Sequence, residues 1–322
     1  MNTSSSILKG NTYLKFLVKL SIIVAIIVLL DFVVGSVLKA FYFRQTSGLE
    51  YRTTYSIDRT RADLLIFGSS TAAHDYIPTV FERDLNMSAY NVGRGGTSVF
   101  YDYAILRAVL KRYKPKMIIL DFDNREFSET QESYDRLACL LPYYKMHPEI
   151  DSIVDLKSPY EKYKLLSNIY PFNSLLFTIS ANNSEANRRE EQDINGYVPL
   201  TNVWNDPLQD DHSFLDDPID SNKVMVYESF IRDCIHAKVK LYIFCSPLFT
   251  KPDYVNNTIQ LGKSIAEKYR VKFVDFSTDP AILSRPCLFA DIAHLNKNGA
   301  LVYSNQVSAR LLAEKRSIPD TR

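Results

Sequence analysis

Residues 20–38 read LSIIVAIIVLLDFVVGSVL, nineteen positions with a single charge at Asp31. As a helix rising about 1.5 Å per residue, the run would extend roughly 28 Å, close to the hydrocarbon thickness of a bilayer. It therefore needs either lipid or a complete protein covering. A cleaved signal has an apolar region of about 7 to 15 residues and a small-residue cleavage site. This run is longer and has no clear site, and the first cysteine is Cys139, so no lipid-modified cysteine follows it. The expectation is a transmembrane signal anchor at 20–38, after a cytoplasmic tail at 1–19 and before a linker at 39–61. Lys9, Lys15 and Lys19 precede the run while Lys39, Arg44 and Arg52 follow it, so charge does not fix the orientation. A cytoplasmic N-terminus is expected because long domains translocate largely regardless of charge. Asp31, costly within a span, is either a contact for a membrane partner or a carboxylate near the interface.

The remaining chain is long enough for a substantial core, at 322 residues and 46% hydrophobic content overall. With 38 basic and 37 acidic side chains it has no electrostatic footprint for nucleic acid. The four cysteines (139, 234, 245 and 287) include no C-x-x-C pair, which argues against a zinc site or a dense disulfide framework. Cys234 and Cys245 read as buried thiols.

Apolar runs alternate with helical patterns. Strands are expected at DLLIF (63–67), AYNVG (89–93), KMIILDF (116–122), KLYIFCSP (240–247) and VKFVDF (271–276). Helices are expected at 102–113, 223–238, about 256–269 and about 297–313, the last with Asn296 as N-cap. Between about 126 and 220 the pattern breaks into a polar, tyrosine-rich insertion holding the only tryptophan, Trp204. Its tyrosines either stack on sugar rings or serve as core residues with a wet hydroxyl. The fold expected is α/β, a parallel sheet covered on both faces by helices, over 62–316, with a short tail at 317–322. In such sheets the site lies beyond the carboxyl ends of the strands, where Gly68–Ser70, Gly93–Gly96, Asp121–Asn124 and Ser246 all fall.

Those positions hold the parts of a nucleophilic site. A serine hydroxyl needs a base to take its proton and fixed donors to meet the oxyanion. The segment FGSS supplies a serine on a glycine turn. Asp291 and His294, three apart ahead of the last helix, supply an orienting acid and a base. Taken alone, D-x-x-H is more often a turn cap beside a surface histidine. His74, four residues past Ser70, is a rival base, expected instead to be a partly exposed helix residue; His147, His212 and His236 have no acid partner in a motif. GRGG matches neither phosphate-loop pattern, and Asp121 and Asp123 have no further ligand at metal spacing, so no cofactor or metal is expected.

The ordered set (serine after the first strand, NVGRGGTS after the second, DFDNRE after the third, and D-x-x-H-x-N before the last helix) resembles the SGNH (GDSL-like) hydrolase superfamily over about 62–125 and 240–312. The resemblance implies a three-layer flavodoxin-like parallel sheet, with Ser70 as nucleophile, His294 as base and Asp291 as its orienter, and oxyanion donors from Ser70, Gly93 and a third residue. That third position falls on Asp123 without a gap and on Asn124 with a one-residue shift, and Asn124 is assigned. Ser69 stands where the family has aspartate, a variant similar to that of membrane-associated relatives that handle acyl groups on envelope polymers. The implied activity is an esterase or O-acyltransferase acting on acyl, chiefly acetyl, esters of cell-envelope carbohydrate outside the cytoplasm. The implied partners are an acylated glycan or small ester, the membrane through 20–38, and a membrane-bound acyl-donor protein. The alternatives are a non-catalytic envelope polysaccharide assembly or binding protein keeping the fold, and a lipid-directed esterase.

Overall fold

In a computed structural model, residues 4–184, 194–207, 217–250 and 256–317 are described. The chain divides into two compact units, one of residues 1–46 with 158–188, the other of 47–157 with 189–322.

The first unit is built on α1 (Ser4–Arg44), whose Thr12–Arg44 portion is long and apolar enough to cross a membrane. The helix thus runs past Leu38 into the expected linker. A turn at Ser167–Ile169 and the short helix α6 (Leu176–Asn183) belong to the same unit.

The second unit opens with α2 (Gly48–Thr54) and a π-helical turn, Tyr55–Arg59. These residues, read from sequence as linker, bury Glu50, Arg52, Thr53 and Thr54. Burial is tolerated because each of these side chains has a hydrogen-bond partner, as in Thr54 Oγ1 with Tyr143 OH at 2.6 Å, Arg52 Nη1 with the Gly196 carbonyl at 3.3 Å and Arg94 Nη2 with Glu50 Oε1 at 3.4 Å.

Five parallel strands, β1 (Leu64–Phe67), β2 (Ala89–Asn91), β3 (Met117–Asp121), β4 (Lys240–Cys245) and β5 (Lys272–Asp275), lie in the order 2-1-3-4-5. This is the flavodoxin-like doubly wound arrangement. β1 and β3 are apolar almost throughout because both faces are covered. Leu64, Ile66, Met117 and Ile119 join Tyr303, Val307 and Leu311 of α9 (Lys297–Ser317) in one core. On the opposite face Phe67 meets Phe230 of α7 (Ser221–His236) edge-on, ring centroids 5.3 Å apart. α3 (Ser70–Asp75) and α4 (Pro78–Leu85) pack with α9, and α5 (Val99–Arg112) packs with α7.

Capping follows the sequence. Asp220 accepts from the Asn222 and Lys223 N–H groups at the start of α7, Asn256 from Ile259 N–H at the start of α8 (Asn257–Lys268), and Asn296 from Asn298 and Gly299 N–H at the start of α9. Alongside β2, a turn joins Ile194 to Tyr197, with Gly196 at φ +88°. There Asn91 N–H donates to the Asn195 carbonyl at 2.8 Å, and Val198 N–H to that of Ala73 at 2.9 Å. All four cysteines are free thiols, with Cys234 and Cys245 buried.

Candidate active site

Gly68 ends β1 at φ +136°, a conformation L side chains rarely adopt. A Cβ there would also lie 2.9 Å from the Ala72 Cβ and from the Asp121 carbonyl. The chain can therefore turn sharply enough to put Ser70 at the first position of α3, half-buried, with its N–H free of any intrahelical partner. The turn is fixed from beneath, since Gly68 N–H donates to Asp102 Oδ1 at 3.1 Å and Arg94 N–H to the Gly68 carbonyl at 3.1 Å.

His294, 224 positions downstream, stands against this serine: its Nε2 is 2.7 Å from Ser70 Oγ. Its Nδ1 lies 2.9 and 3.0 Å from the two Asp291 carboxylate oxygens. Because a carboxylate only accepts, Nδ1 carries the proton and Nε2 of the neutral ring is left to accept from the Ser70 hydroxyl. Asp291 is held by the Ala293 and His294 N–H groups at 2.8 and 2.9 Å. Partial burial pushes its carboxyl up, but the bonds from the His294 ring and Ala293 N–H outweigh this and keep it below the usual carboxylate range. Ser70, His294 and Asp291 are thus together.

The two other expected donors, Gly93 and Asn124, do not line the cavity beside Ser70. Gly93 is buried against the Ala72 Cβ and Ala73 N, and its N–H is bonded to Asn91 Oδ1 at 2.9 Å. Gly95 and Gly96 lie closer to the reacting side: a Cβ on Gly95 would meet Ser70 Cβ at 3.6 Å, and Gly96 lines a cavity shared with Ser69 and Ser70. Neither of their N–H groups has a hydrogen-bond acceptor among the described residues. Asn124 lines a small cavity with Cys245 and Ser246, and Asp123 lines both that cavity and the one beside Ser70. Without a gap, the third-strand block thus presents its aspartate, not its asparagine, to the serine's cavity.

That cavity, about 320 Å³, is polar, and two buried charges, Glu126 and Lys223, contribute to its wall. Burial raises Glu126 to about 7, against the attraction of Lys223, and its Oε1 accepts from Val99 N–H at 2.7 Å. Lys223 is depressed by burial and donates to the Ser128 carbonyl at 2.7 Å. Behind the serine turn, Asp121 accepts from Thr71 Oγ1, from Tyr76 OH at 2.7 Å and from Ser246 Oγ at 2.6 Å; burial lifts it to about 6 in spite of these bonds.

His74 and Asp75 carry more of the geometry than their sequence positions suggest. The His74 Nδ1–H donates to the Val198 carbonyl at 2.7 Å, and its ring meets that of His294 edge-on with centroids 5.2 Å apart. Burial is the main force depressing His74, so it is a neutral wall for the base rather than a second base. Asp75 is fully buried and accepts from Leu295 N–H at 3.0 Å, tying the segment after His294 to the serine helix. The available signal was the spacing, because His74 and Asp75 lie one helical turn after Ser70. His147, without an acid partner in sequence, has two in the fold, Asp58 at 3.0 Å and Glu149 at 2.8 Å. His212 lies outside the described residues. Among the described residues no group of three or more His, Cys, Asp or Glu side chains is disposed to hold a metal ion.

No family model matches the chain, and no curated protein matches it. Among solved structures it is similar to an acetyl xylan esterase, AlAXEase, with a TM-score of 0.38 at 12% identity, over 78% of this chain and 98% of that one. A likeness of that degree identifies neither a family nor a reaction; the chemistry rests on the site's own geometry.

Proposed function

We propose that this chain is a membrane-anchored serine esterase or O-acyltransferase of SGNH type, acting on acyl, chiefly acetyl, esters of cell-envelope carbohydrate outside the cytoplasm. The observation that carries this reading is the continuous hydrogen-bonded line from Ser70 Oγ through His294 to Asp291, at 2.7 and 2.9 Å. His294 Nε2 takes the hydroxyl proton as Oγ attacks the ester carbonyl, Asp291 stabilises the imidazolium, and the proton passes to the leaving alcohol. The acyl group on Ser70 then goes to water or to an acceptor hydroxyl. Ser70 N–H and the Gly95 or Gly96 N–H are the donors for the oxyanion. The polar cavity suits a glycan better than a lipid chain, since hydroxyl-rich ligands need hydrogen-bonding walls. A membrane-bound acyl-donor protein fits the transferase form.

Mass spectrometry of the intact protein treated with an activated acetyl ester tests this. An acetyl adduct on Ser70 that is absent from Ser70→Ala is expected, and an unmodified wild-type protein would sink covalent catalysis. Adding an oligosaccharide acceptor separates transfer from hydrolysis by where the acetyl group ends.

A non-catalytic glycan-binding role is the second reading, favoured by Asp123 beside the cavity, where a carboxylate repels an oxyanion. Glycan binding unchanged by Ser70→Ala and His294→Ala, with no ester turnover, would select it.

A further inference from the structure

Between Lys19 and Lys39 the only charge on α1 is Asp31, and its carboxylate is not bare. Oδ1 accepts from Ser167 Oγ at 2.5 Å and Ile169 N–H at 3.3 Å; Oδ2 accepts from Asn168 N–H at 2.7 Å and Asn168 Nδ2 at 3.0 Å. One helical turn later Gly35 allows the contact, since a Cβ there would fall 2.4 Å from that of Asn168. Further along, the Tyr42 and Phe172 rings meet at 5.5 Å, and Asn183 Nδ2 donates to the Phe41 carbonyl at 3.0 Å. Asn182 Nδ2 donates to Gln45 Oε1 at 2.6 Å. The segment from Ser167 to Asn183 therefore follows α1 from Asp31 to Gln45, roughly 21 Å of helix.

This segment is built for a place without water. From Leu165 to Ser184 the sequence contains no Asp, Glu, Lys or Arg. Backbone donors that enter hydrocarbon must be satisfied internally, and those of the turn are. Leu165, Leu166 and Ser167 N–H donate to the Glu161, Tyr163 and Lys164 carbonyls, Asn168 and Ile169 N–H to Asp31, Tyr170 N–H to Ser167 Oγ, and Phe172 N–H to the Ile169 carbonyl. Pro171 has none to satisfy. Leu165, Phe172 and Ile179 are buried, while Leu166, Leu176 and Phe177 face outward, Leu166 76% and Phe177 91% exposed. In water such exposure forfeits about 25 cal/mol per Å² of apolar surface.

We propose that residues 165–184 form a re-entrant loop inserted in the same leaflet as the C-terminal half of α1. Its occupant is lipid acyl chain around Leu166 and Phe177, and Asp31 is the latch that holds the loop to the anchor. Asp31 lies eight residues before Lys39, so the loop tip sits about 12 Å below that lysine. The proposal rests on the reading of α1 as a membrane span.

Depth-dependent fluorescence quenching tests it with the full-length protein in phosphatidylcholine–phosphatidylglycerol vesicles. Trp204→Phe provides a silent background; its buried indole N–H has no acceptor among the described residues, so the substitution breaks no hydrogen bond. In that background Phe177→Trp is the loop reporter and Leu30→Trp the anchor reporter. The expected result is that both emissions are blue-shifted and lost in vesicles of bromine-labelled lipid, and that adding Asp31→Ala restores emission from the loop reporter but not from the anchor reporter. Lipid quenching of the anchor reporter with aqueous iodide quenching of the loop reporter would overturn the loop and leave the anchor standing. Aqueous quenching of both would remove the anchor with it. A blue-shifted loop reporter that neither quencher reaches would mean a protein partner, and would also overturn the proposal.

Discussion

Asp291 grips His294 through both carboxylate oxygens and is itself gripped by two N–H groups, so the imidazole has one orientation and one tautomer. Asp291→Asn keeps the shape but offers an amide that stabilises the wrong tautomer. Ester turnover is expected to fall about 10³- to 10⁴-fold with little change in KM, read by steady-state kinetics. Gly68→Ala would meet both a forbidden φ and the Asp121 carbonyl, and a loss of about 1–3 kcal/mol in urea unfolding is expected together with lost turnover. Ser70, Asp291 and His294 were legible because a serine after a buried strand and an acid–base pair before a capped helix each have a sequence signature. Gly93 and Asn124 fall away from the cavity beside Ser70 for a local reason: which groups face the reacting side depends on the path of a turn. Asn91, whose side chain occupies Gly93 N–H, could not be known before the turn was seen.

Elements with a clear apolar signal were readable to within a few residues, as the continuous apolar runs of β1 and β3 illustrate. The helical stretch 48–59 was not, because its buried face is made of Glu50, Arg52, Thr53 and Ser56, and polar residues give no amphipathic signal. That stretch is held at its end by His147, which bridges Asp58 of the π-turn and Glu149, a partner of Lys111. The hydrogen bond that His147 donates to Asp58 is the main reason His147 lies above its ordinary value, with burial opposing it and Glu149 assisting. A histidine raised on folding contributes stability that is complete below about pH 6.5 and lost as pH rises through its folded value. His147→Gln should therefore lower the urea midpoint at about pH 6, and the gap to wild type should narrow by about pH 9. A constant gap would mean the bridge is packing alone.

For the whole molecule, a parallel sheet could be anticipated from alternating strands and helices, but the partition into two units could not. The polar middle region carries no sign that 158–188 belongs with the N-terminal helix, since the hydrogen bonds that join them pair residues 137 positions apart. Removing residues 1–46 should consequently leave the Ser167–Ile169 donors without Asp31 and Phe172 without Tyr42. Such a fragment is expected to self-associate in light scattering, while one that also lacks 165–184 stays monomeric; a monomeric first fragment would count against the latch. The turn at 194–197 has its own consequence. By bonding to Asn91 it covers the end of one margin of the sheet, and among the described residues no strand pairs with the outer side of β5. There Lys272, ion-paired with Glu314, and Asp275 are exposed, the kind of charge that deters strand addition between molecules, so neutralising Lys272 and Asp275 would invite fibril-like growth at β5.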